Sequence, residues 1–264
     1  MRLAALAAMV GLALGQEAPP VKSGPVVLQN TGKPMVVPFQ CTEDDVTSAG
    51  LSCSEEAPCP VYLELDAVAA VGDRLVAVGN LHSSAVTLYS TLLASEDNGQ
   101  TWREAADRVR GAGLDRVQFL DAQTGWASGE KLSPLPQEPF LILTTDGGKS
   151  WRMRPVFGES AENKLGAIQQ FLFTERDSGT LIVDRGQGAD GDRYELYESP
   201  DGGTSWSFRQ SSTKPLTLRV APAVSTEWRV RADSRTRAFH IEHRSGEKWS
   251  SVASFLVNIG VCKP

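Results

Sequence analysis

The chain has 264 residues, of which 41% are apolar and 22% charged, so it can bury a substantial core and does not belong to the intrinsically disordered class. Its formal net charge of −6 argues against nucleic acid as a partner, because the phosphate backbone would repel the chain as a whole. No apolar stretch after the N-terminus approaches the roughly 18 residues that a membrane-spanning helix needs.

The N-terminus predicts an export signal. Arg2 is followed by an uninterrupted run of small and apolar residues from Leu3 to Leu14, and Gly15 offers a small residue to a signal peptidase. We therefore expect cleavage before Gln16, with residues 1–15 as the signal peptide and a secreted or periplasmic mature protein. A buried N-terminal helix is the alternative interpretation of the same run.

Residues 16–60 form a segment that contains three of the four cysteines. An even number of cysteines behind an export signal predicts two disulfides, although the sequence leaves three possible pairings open. A zinc site is the alternative, but the first three cysteines are separated by 11 and 5 residues, which is wider than the usual zinc-binding spacing. If all four pair with one another, the C-terminal cysteine ties the two chain ends together. The four are Cys41, Cys53, Cys59 and Cys262.

Residues 61–264 contain three octets that fit the pattern Ser/Thr-x-Asp-x-Gly-x-Ser/Thr-Trp. The tryptophans are 49 and 55 residues apart, and a degraded fourth copy ends at Trp249 after a further 43 residues. Each octet is typical of a hairpin tip: the Asp accepts hydrogen bonds from the tight loop, and the Trp is buried between sheets. We therefore expect these aspartates to be structural. The pattern positions are Ser95, Asp97, Gly99, Thr101 and Trp102; Thr144, Asp146, Gly148, Ser150 and Trp151; and Ser199, Asp201, Gly203, Ser205 and Trp206.

The octet resembles the Asp-box, or bacterial neuraminidase repeat, of sialidase-like and photosystem II assembly factor-like β-propellers. The stretch Phe119–Gly129 is also similar to a segment of the photosystem factors. The resemblance implies an all-β propeller of four-stranded antiparallel blades, with the octets at the outer rim and away from the ligand face.

The chain ends suggest how such a ring closes. A fifth, composite blade would have the C-terminal run Val252–Ile259 innermost and an N-terminal hairpin around Asn30–Lys33 outside it, so that residues 25–60 and 61–264 make one domain. Four blades with the cysteine-rich segment as an external flap is the alternative.

Chemistry-bearing motifs are scarce. The sequence lacks metal-protease, nucleophile-elbow and phosphate-loop motifs, so we predict no catalytic residue, no metal and no cofactor. The pair Tyr194-Glu195 suits sialidase chemistry, but it alternates along an ordinary strand. The preferred hypothesis is a monomeric, non-enzymatic module that binds an unknown protein or assists assembly at the cell envelope. A glycan-binding or sialidase-like hydrolytic propeller is the alternative.

Two polar features remain as candidates. His82 follows a Gly-Asn turn and could face the mouth of the ring. A group of arginines near residue 234 predicts a contact with an anion or an acidic peptide, and a solvated outer strand is the alternative. These arginines are Arg229, Arg231, Arg235, Arg237 and Arg244.

Overall fold

The computed structural model describes residues 26–132, 138–157, 165–186, 192–218 and 227–263. The predicted export signal, residues 1–15, lies outside these ranges. Within them, no helix has the length and apolarity needed to cross a membrane.

The regular secondary structure of the described residues is almost entirely β-strand. One short helix, α1 (Glu43–Ser48), lies in the cysteine-containing segment, where Thr42 caps its first turn. In chain order the strands are β1 (Leu28–Gln29), β2 (Cys59–Val71), β3 (Arg74–His82), β4 (Thr87–Ser95), β5 (Thr101–Glu104), β6 (Ala112–Phe119), β7 (Gly125–Lys131), β8 (Glu138–Thr144), β9 (Arg152–Pro155), β10 (Ala167–Phe173), β11 (Gly179–Asp184), β12 (Tyr194–Ser199), β13 (Ser207–Ser212), β14 (Trp228–Asp233), β15 (Ala238–Ser245), β16 (Lys248–Leu256) and β17 (Asn258–Cys262).

These strands form four sheets, which we call blades 1 to 4. Blade 1 has the order β17–β2–β3–β4–β5–β1, blade 2 is β6–β7–β8–β9, blade 3 is β10–β11–β12–β13, and blade 4 is β14–β15–β16. All strand pairs within the blades are antiparallel and join neighbours in sequence, apart from the closing strands β1 and β17. The predicted all-β, propeller-like fold of antiparallel blades is therefore confirmed.

Among the described residues the sheets number four, and the segments assigned to a fifth composite blade join blades 1 and 4. In blade 1, β17 pairs with the start of β2, and β1 pairs with β5 at the opposite edge. Met35 bridges Phe255 of β16 in parallel orientation, on the edge of blade 4. Both chain ends thus cover sheet edges that would otherwise expose unpaired backbone groups.

Two disulfides fasten the cysteine-containing segment. Cys41 is bonded to Cys262, which joins two positions 221 residues apart in sequence, and Cys53 is bonded to Cys59. The Arg110 side chain holds α1 against blade 1 through ion pairs with Asp44 and Asp45. Structural disulfides are typical of proteins that fold outside the reducing cytoplasm.

The core lies between the faces of neighbouring blades. Trp102 and Trp126 are each 1% exposed. Trp126 of blade 2 stacks on Phe173 of blade 3 with 3.8 Å between ring centroids, whereas Trp102 of blade 1 packs edge-on against Phe255 of blade 4. Packing of these large rings holds blade 2 against blade 3 and blade 1 against blade 4.

Candidate functional site

The octet aspartates form hydrogen bonds within their own loops. Asp146 accepts hydrogen bonds from the hydroxyls of Thr144 (2.9 Å) and Ser150 (2.6 Å) and from the backbone N–H groups of Lys149 and Ser150. The hydrogen bonds from Ser150 contribute most to holding the pKa of Asp146 well below its usual range. Asp97 and Asp201 have the same sets of partners in their own octets. These carboxylates are occupied in holding the loop.

The arginines of the predicted anion patch are only partly available. Arg229 and Arg231 both donate to Glu242, at 2.7 and 2.8 Å, and Glu242 is 5% exposed. The Arg229 guanidinium also lies over the Trp249 ring at 4.1 Å. The Arg244 Nε donates to the Gly246 carbonyl at 2.8 Å. Arg231 also pairs with Asp233 at 3.3 Å, so both strand arginines already have carboxylate partners and an anion-binding role for this patch stays a prediction.

The first strands of blades 1, 2 and 3 share an irregularity that the sequence analysis did not foresee. The pairing register slips by one residue in β2, β6 and β10, which leaves Asp66, Asp115 and Gln169 without a partner on the adjacent strand. A β-bulge re-aims the extra side chain and is frequent next to active sites. Three blades therefore present a polar bulge residue at equivalent positions.

Glycine on the second strand makes two of these bulges possible. Gly79 faces Leu65, and Gly129 faces Leu114, one residue before the bulge in each blade. A Cβ atom at Gly79 would lie 1.9 Å from the Glu64 carbonyl oxygen, and one at Gly129 would lie 2.2 Å from the corresponding oxygen of Gly113. Only glycine allows this close approach of two backbones.

Four acidic side chains surround the first two bulges, and we call them the carboxyl cluster: Glu64, Asp66, Asp115 and Glu130. Asn80, the residue after Gly79, donates from Nδ2 to Glu64 Oε2 at 3.3 Å and also hydrogen-bonds Asp66. Glu130 occupies the equivalent position after Gly129. Blade 2 approaches closely here, since a Cβ at Gly113 would lie 3.7 Å from the Asn80 side chain.

The cluster has the electrostatics of a catalytic site. Burial, followed by repulsion from Glu64 and Asp115, raises the pKa of Asp66 to about 7. Burial, together with the charge of Asp115, raises the pKa of Glu130 to about 7. Burial also raises the pKa of Asp115, and the Arg116 guanidinium opposes that rise. The site therefore holds carboxyl groups that exchange protons near neutral pH.

Asp66 can be reached from solvent in spite of its raised pKa. Its side chain is exposed, whereas Asp115 and Glu130 are half-buried. Neighbouring protein atoms thus partly desolvate the carboxyl group, although the side chain itself remains exposed. A substrate can therefore contact Asp66 directly.

Three polar atoms on β7 and β10 have no hydrogen-bond partner among the described residues. They are Ser128 Oγ, Glu130 Oε2 and Gln169 Oε1, and each is shielded from solvent. The described residues contain no group of three or more His, Cys, Asp or Glu side chains suited to a metal ion.

The cluster and the octet loops lie at opposite ends of the blades. Glu64 and Asp66 lie in the middle of β2, with Glu64 opposite Asn80 near the end of β3, whereas the β2–β3 turn at Gly72 and the first octet lie at the other end of β3. His82 lies at the cluster's end of β3, with its ring 5.6 Å from that of Tyr62. The sequence analysis missed the cluster, although the pairs Gly79-Asn80 and Gly129-Glu130 on second strands were a signal in the sequence.

The comparisons with known proteins give likeness in fold alone. No protein-family model and no curated protein matches the sequence. The chain resembles the phage phi92 endosialidase with a TM-score of 0.42 and 11% identity, over 81% of this chain and 44% of that one. It also resembles Zg3597, a family 117 glycoside hydrolase produced by the marine bacterium Zobellia galactanivorans, with a TM-score of 0.39 and 9% identity over 88% of this chain and 76% of that one. The chain thus spans less than half the length of the endosialidase.

The preference for a non-enzymatic assembly module is corrected, since both solved proteins of similar fold are named as glycosidases. The carboxyl cluster explains the error in physical terms. Its members come from three strands of two blades and are brought together by register slips, so a search for contiguous motifs could not find them.

Proposed function

We propose that this chain is a glycan-acting propeller that hydrolyses glycosidic bonds at the carboxyl cluster. The observation that carries the proposal is the pair Asp66 and Glu64 on β2. Asp66 has its pKa raised to about 7 beside the charge of Glu64, and Asn80 contacts both carboxyl groups. Glycoside hydrolysis uses this combination of one protonated and one ionised carboxyl group.

The roles follow from exposure and charge. Asp66, protonated and open to solvent, donates its proton to the leaving oxygen as the bond from that oxygen to the anomeric carbon breaks. Glu64 supplies the negative charge that stabilises the positively charged sugar in the transition state and assists the attack of water. The proton released by the water returns to the carboxyl pair. Asn80 is a positioning residue, because it hydrogen-bonds both carboxyl groups.

Replacement of the two carboxyl groups tests the proposal. We expect the wild-type protein to release nitrophenol from at least one member of a panel of nitrophenyl glycosides. Asp66→Asn and Glu64→Gln should each lower kcat by about 100-fold or more, since general acid–base catalysis contributes that much. Glu56→Gln, at an exposed carboxylate in the cysteine-containing segment, is the matched control and should keep the wild-type rate. Equal rates in all four proteins would place the reaction elsewhere.

We also propose where the protein is located and which type of repeat its octets are. We propose export with cleavage before Gln16 to a secreted or periplasmic location, which is supported by the disulfides Cys41–Cys262 and Cys53–Cys59. We also propose that the octets are Asp-boxes of the sialidase-like type. The shared hydrogen bonds of Asp97, Asp146 and Asp201 support that assignment.

A further inference from the structure

A cavity of about 160 Å³ lies between blades 1 and 2, and none of the residues that line it belongs to the carboxyl cluster. Its buried lining comes from Leu92 of β4, Leu114 of β6 and Ile142 of β8, each at most 6% exposed. Side chains around such a cavity lack the van der Waals contacts that a filled interior provides. An apolar group that fits the cavity therefore restores those contacts on binding.

The next interface around the ring, between blades 2 and 3, is filled by aromatic rings. Tyr197 lies two residues before its octet, as Ile142 does in blade 2, and Phe208 lies two residues after the octet tryptophan, as Met153 does. Phe157 and Phe208 pack against Tyr197, with ring centroids 5.5 and 5.9 Å away. Blade 2 thus presents non-aromatic side chains to blade 1 at positions where blade 3 presents rings to blade 2.

The segment after the outer strand also differs between the two interfaces. Phe157 is the second residue after β9, whereas Ala106 is the second residue after β5. Ala106 and Ile142 both line the cavity. An apolar cavity of about 150 Å³ is known to hold a benzene-sized ring. The volume between blades 1 and 2 therefore corresponds to one six-membered aromatic ring.

Asp107 gives this cavity a hydrogen-bond acceptor. Its side chain is exposed and forms no hydrogen bond or ion pair with another described residue. Asp107 lines both this cavity and an adjoining outer cavity of about 520 Å³, and the two also share Ala106 and Trp151. The indole of Trp151 offers an aromatic surface on which a second ring can pack. A carboxylate accepts hydrogen bonds and repels anions, so a neutral ring that carries a donor suits this place.

We infer that the cavity binds a small uncharged phenol, whose ring lies against Trp151 and Ile142 and whose hydroxyl donates to Asp107. A hydrogen bond from a hydroxyl to a carboxylate is stronger than one between two neutral groups. The inference goes beyond the proposed hydrolysis and does not depend on it, because binding is measured without a glycoside.

Three small ligands test the chemical class. Phenol is uncharged at pH 7, since a phenolic hydroxyl ionises near pH 10. By calorimetry on the wild-type protein, phenol should bind about threefold or more tightly than toluene, which lacks the donor. It should bind about tenfold or more tightly than benzoate, whose charge Asp107 repels. No detectable binding of phenol at about 20 mM, or equal affinity for all three ligands, would overturn the inference.

A substitution that fills the cavity tests where the ring lies. Ala106→Phe imitates Phe157 of the next interface, so phenol affinity should fall about tenfold or more while the urea midpoint of unfolding stays at or above the wild-type value. Ser207→Phe, on exposed β13 and outside the cavity, is the control and should keep the wild-type affinity. A folded Ala106→Phe protein that binds phenol as tightly as the wild type would contradict the assignment.

A second substitution tests the acceptor without altering the packing. Asp107→Asn changes an exposed side chain and keeps its shape, so the protein should unfold like the wild type. Its affinity for phenol should fall about threefold to tenfold because the charged acceptor is lost, whereas its affinity for toluene should not change. Asp177→Asn, at an exposed carboxylate of blade 3, is the matched control. Equal phenol affinity in the wild type and both variants would show that Asp107 does not bind the hydroxyl.

Discussion

At the scale of single residues, the backbone of glycine is as important to the candidate site as the acidic side chains. Asp66 can form a bulge in β2 because Gly79, on the facing strand β3, has no Cβ atom. The same arrangement recurs with Asp115 and Gly129 in blade 2. The site is therefore specified by pairs of residues on neighbouring strands, one acidic and one without a side chain.

Substitution of Gly79 tests this dependence. In Gly79→Ala the new methyl group would lie within 3 Å of three backbone atoms of Glu64 and Leu65, so the bulge must shift. We expect the free energy of unfolding to fall by about 1–3 kcal/mol and hydrolysis to fall by more than the fraction unfolded explains. Gly260→Ala is the control, because its nearest contact would be at an ordinary 3.7 Å. Urea unfolding and the glycosidase rate measure the two effects, and an active, fully stable Gly79→Ala protein would refute the role of the bulge.

At the scale of elements, the octet is a self-contained corner. Its Asp, Ser/Thr and Trp are close in sequence, and the hydrogen bonds that join them span at most four residues. Local sequence therefore sufficed to predict a loop of this kind. The carboxyl cluster depends on which residue of one strand faces which residue of the next, and a single sequence does not reveal that register.

Removal of one octet carboxylate tests whether the octet aspartates stabilise the fold or take part in catalysis. Asp146→Ala leaves two hydroxyls and two N–H groups without their acceptor, so we expect a loss of about 1–3 kcal/mol in the free energy of unfolding. Since the pKa of Asp146 is lowered in the folded protein, this contribution should be present at neutral pH and disappear as the pH falls below the pKa of the unfolded chain, about 4.

The control for that experiment lies in the same loop. Lys149→Ala changes an exposed position that the octet pattern leaves free, and it should unfold like the wild type. Both variants should keep the wild-type kcat per folded molecule. Loss of hydrolysis in a stable Asp146→Ala protein would show that the aspartate is catalytic, contrary to our account.

At the scale of the whole molecule, the two chain ends close blade 1 against blade 4. The Cys41–Cys262 disulfide and the β17–β2 pairing hold the start of β2, from which Glu64 and Asp66 follow within a few residues. The sequence predicted an all-β propeller, two disulfides and a tie between the ends. It placed the closing segments in a separate blade because their composition indicates strands but does not identify the edges with which they pair.

The packing of whole blades also explains why the sequence did not reveal the carboxyl cluster. The four carboxyl groups are separated by up to 66 residues in sequence, between Glu64 and Glu130, and come together only when blades 1 and 2 pack. Their raised pKa values arise from that packing and from mutual repulsion. No local motif carries this information, whereas the arginine-rich strand, which does stand out in the sequence, is paired with Glu242 and Asp233.

The pH dependence of glycoside hydrolysis tests the central claim most directly. Because the pKa of Asp66 is raised to about 7 and its protonated form is the proton donor, kcat should be sustained below about pH 7. It should fall about tenfold for each pH unit above that value, and the Glu56→Gln control should follow the same curve. A rate that is independent of pH between about 6 and 9, or that rises across this range, would contradict the assignment of Asp66 as the acid.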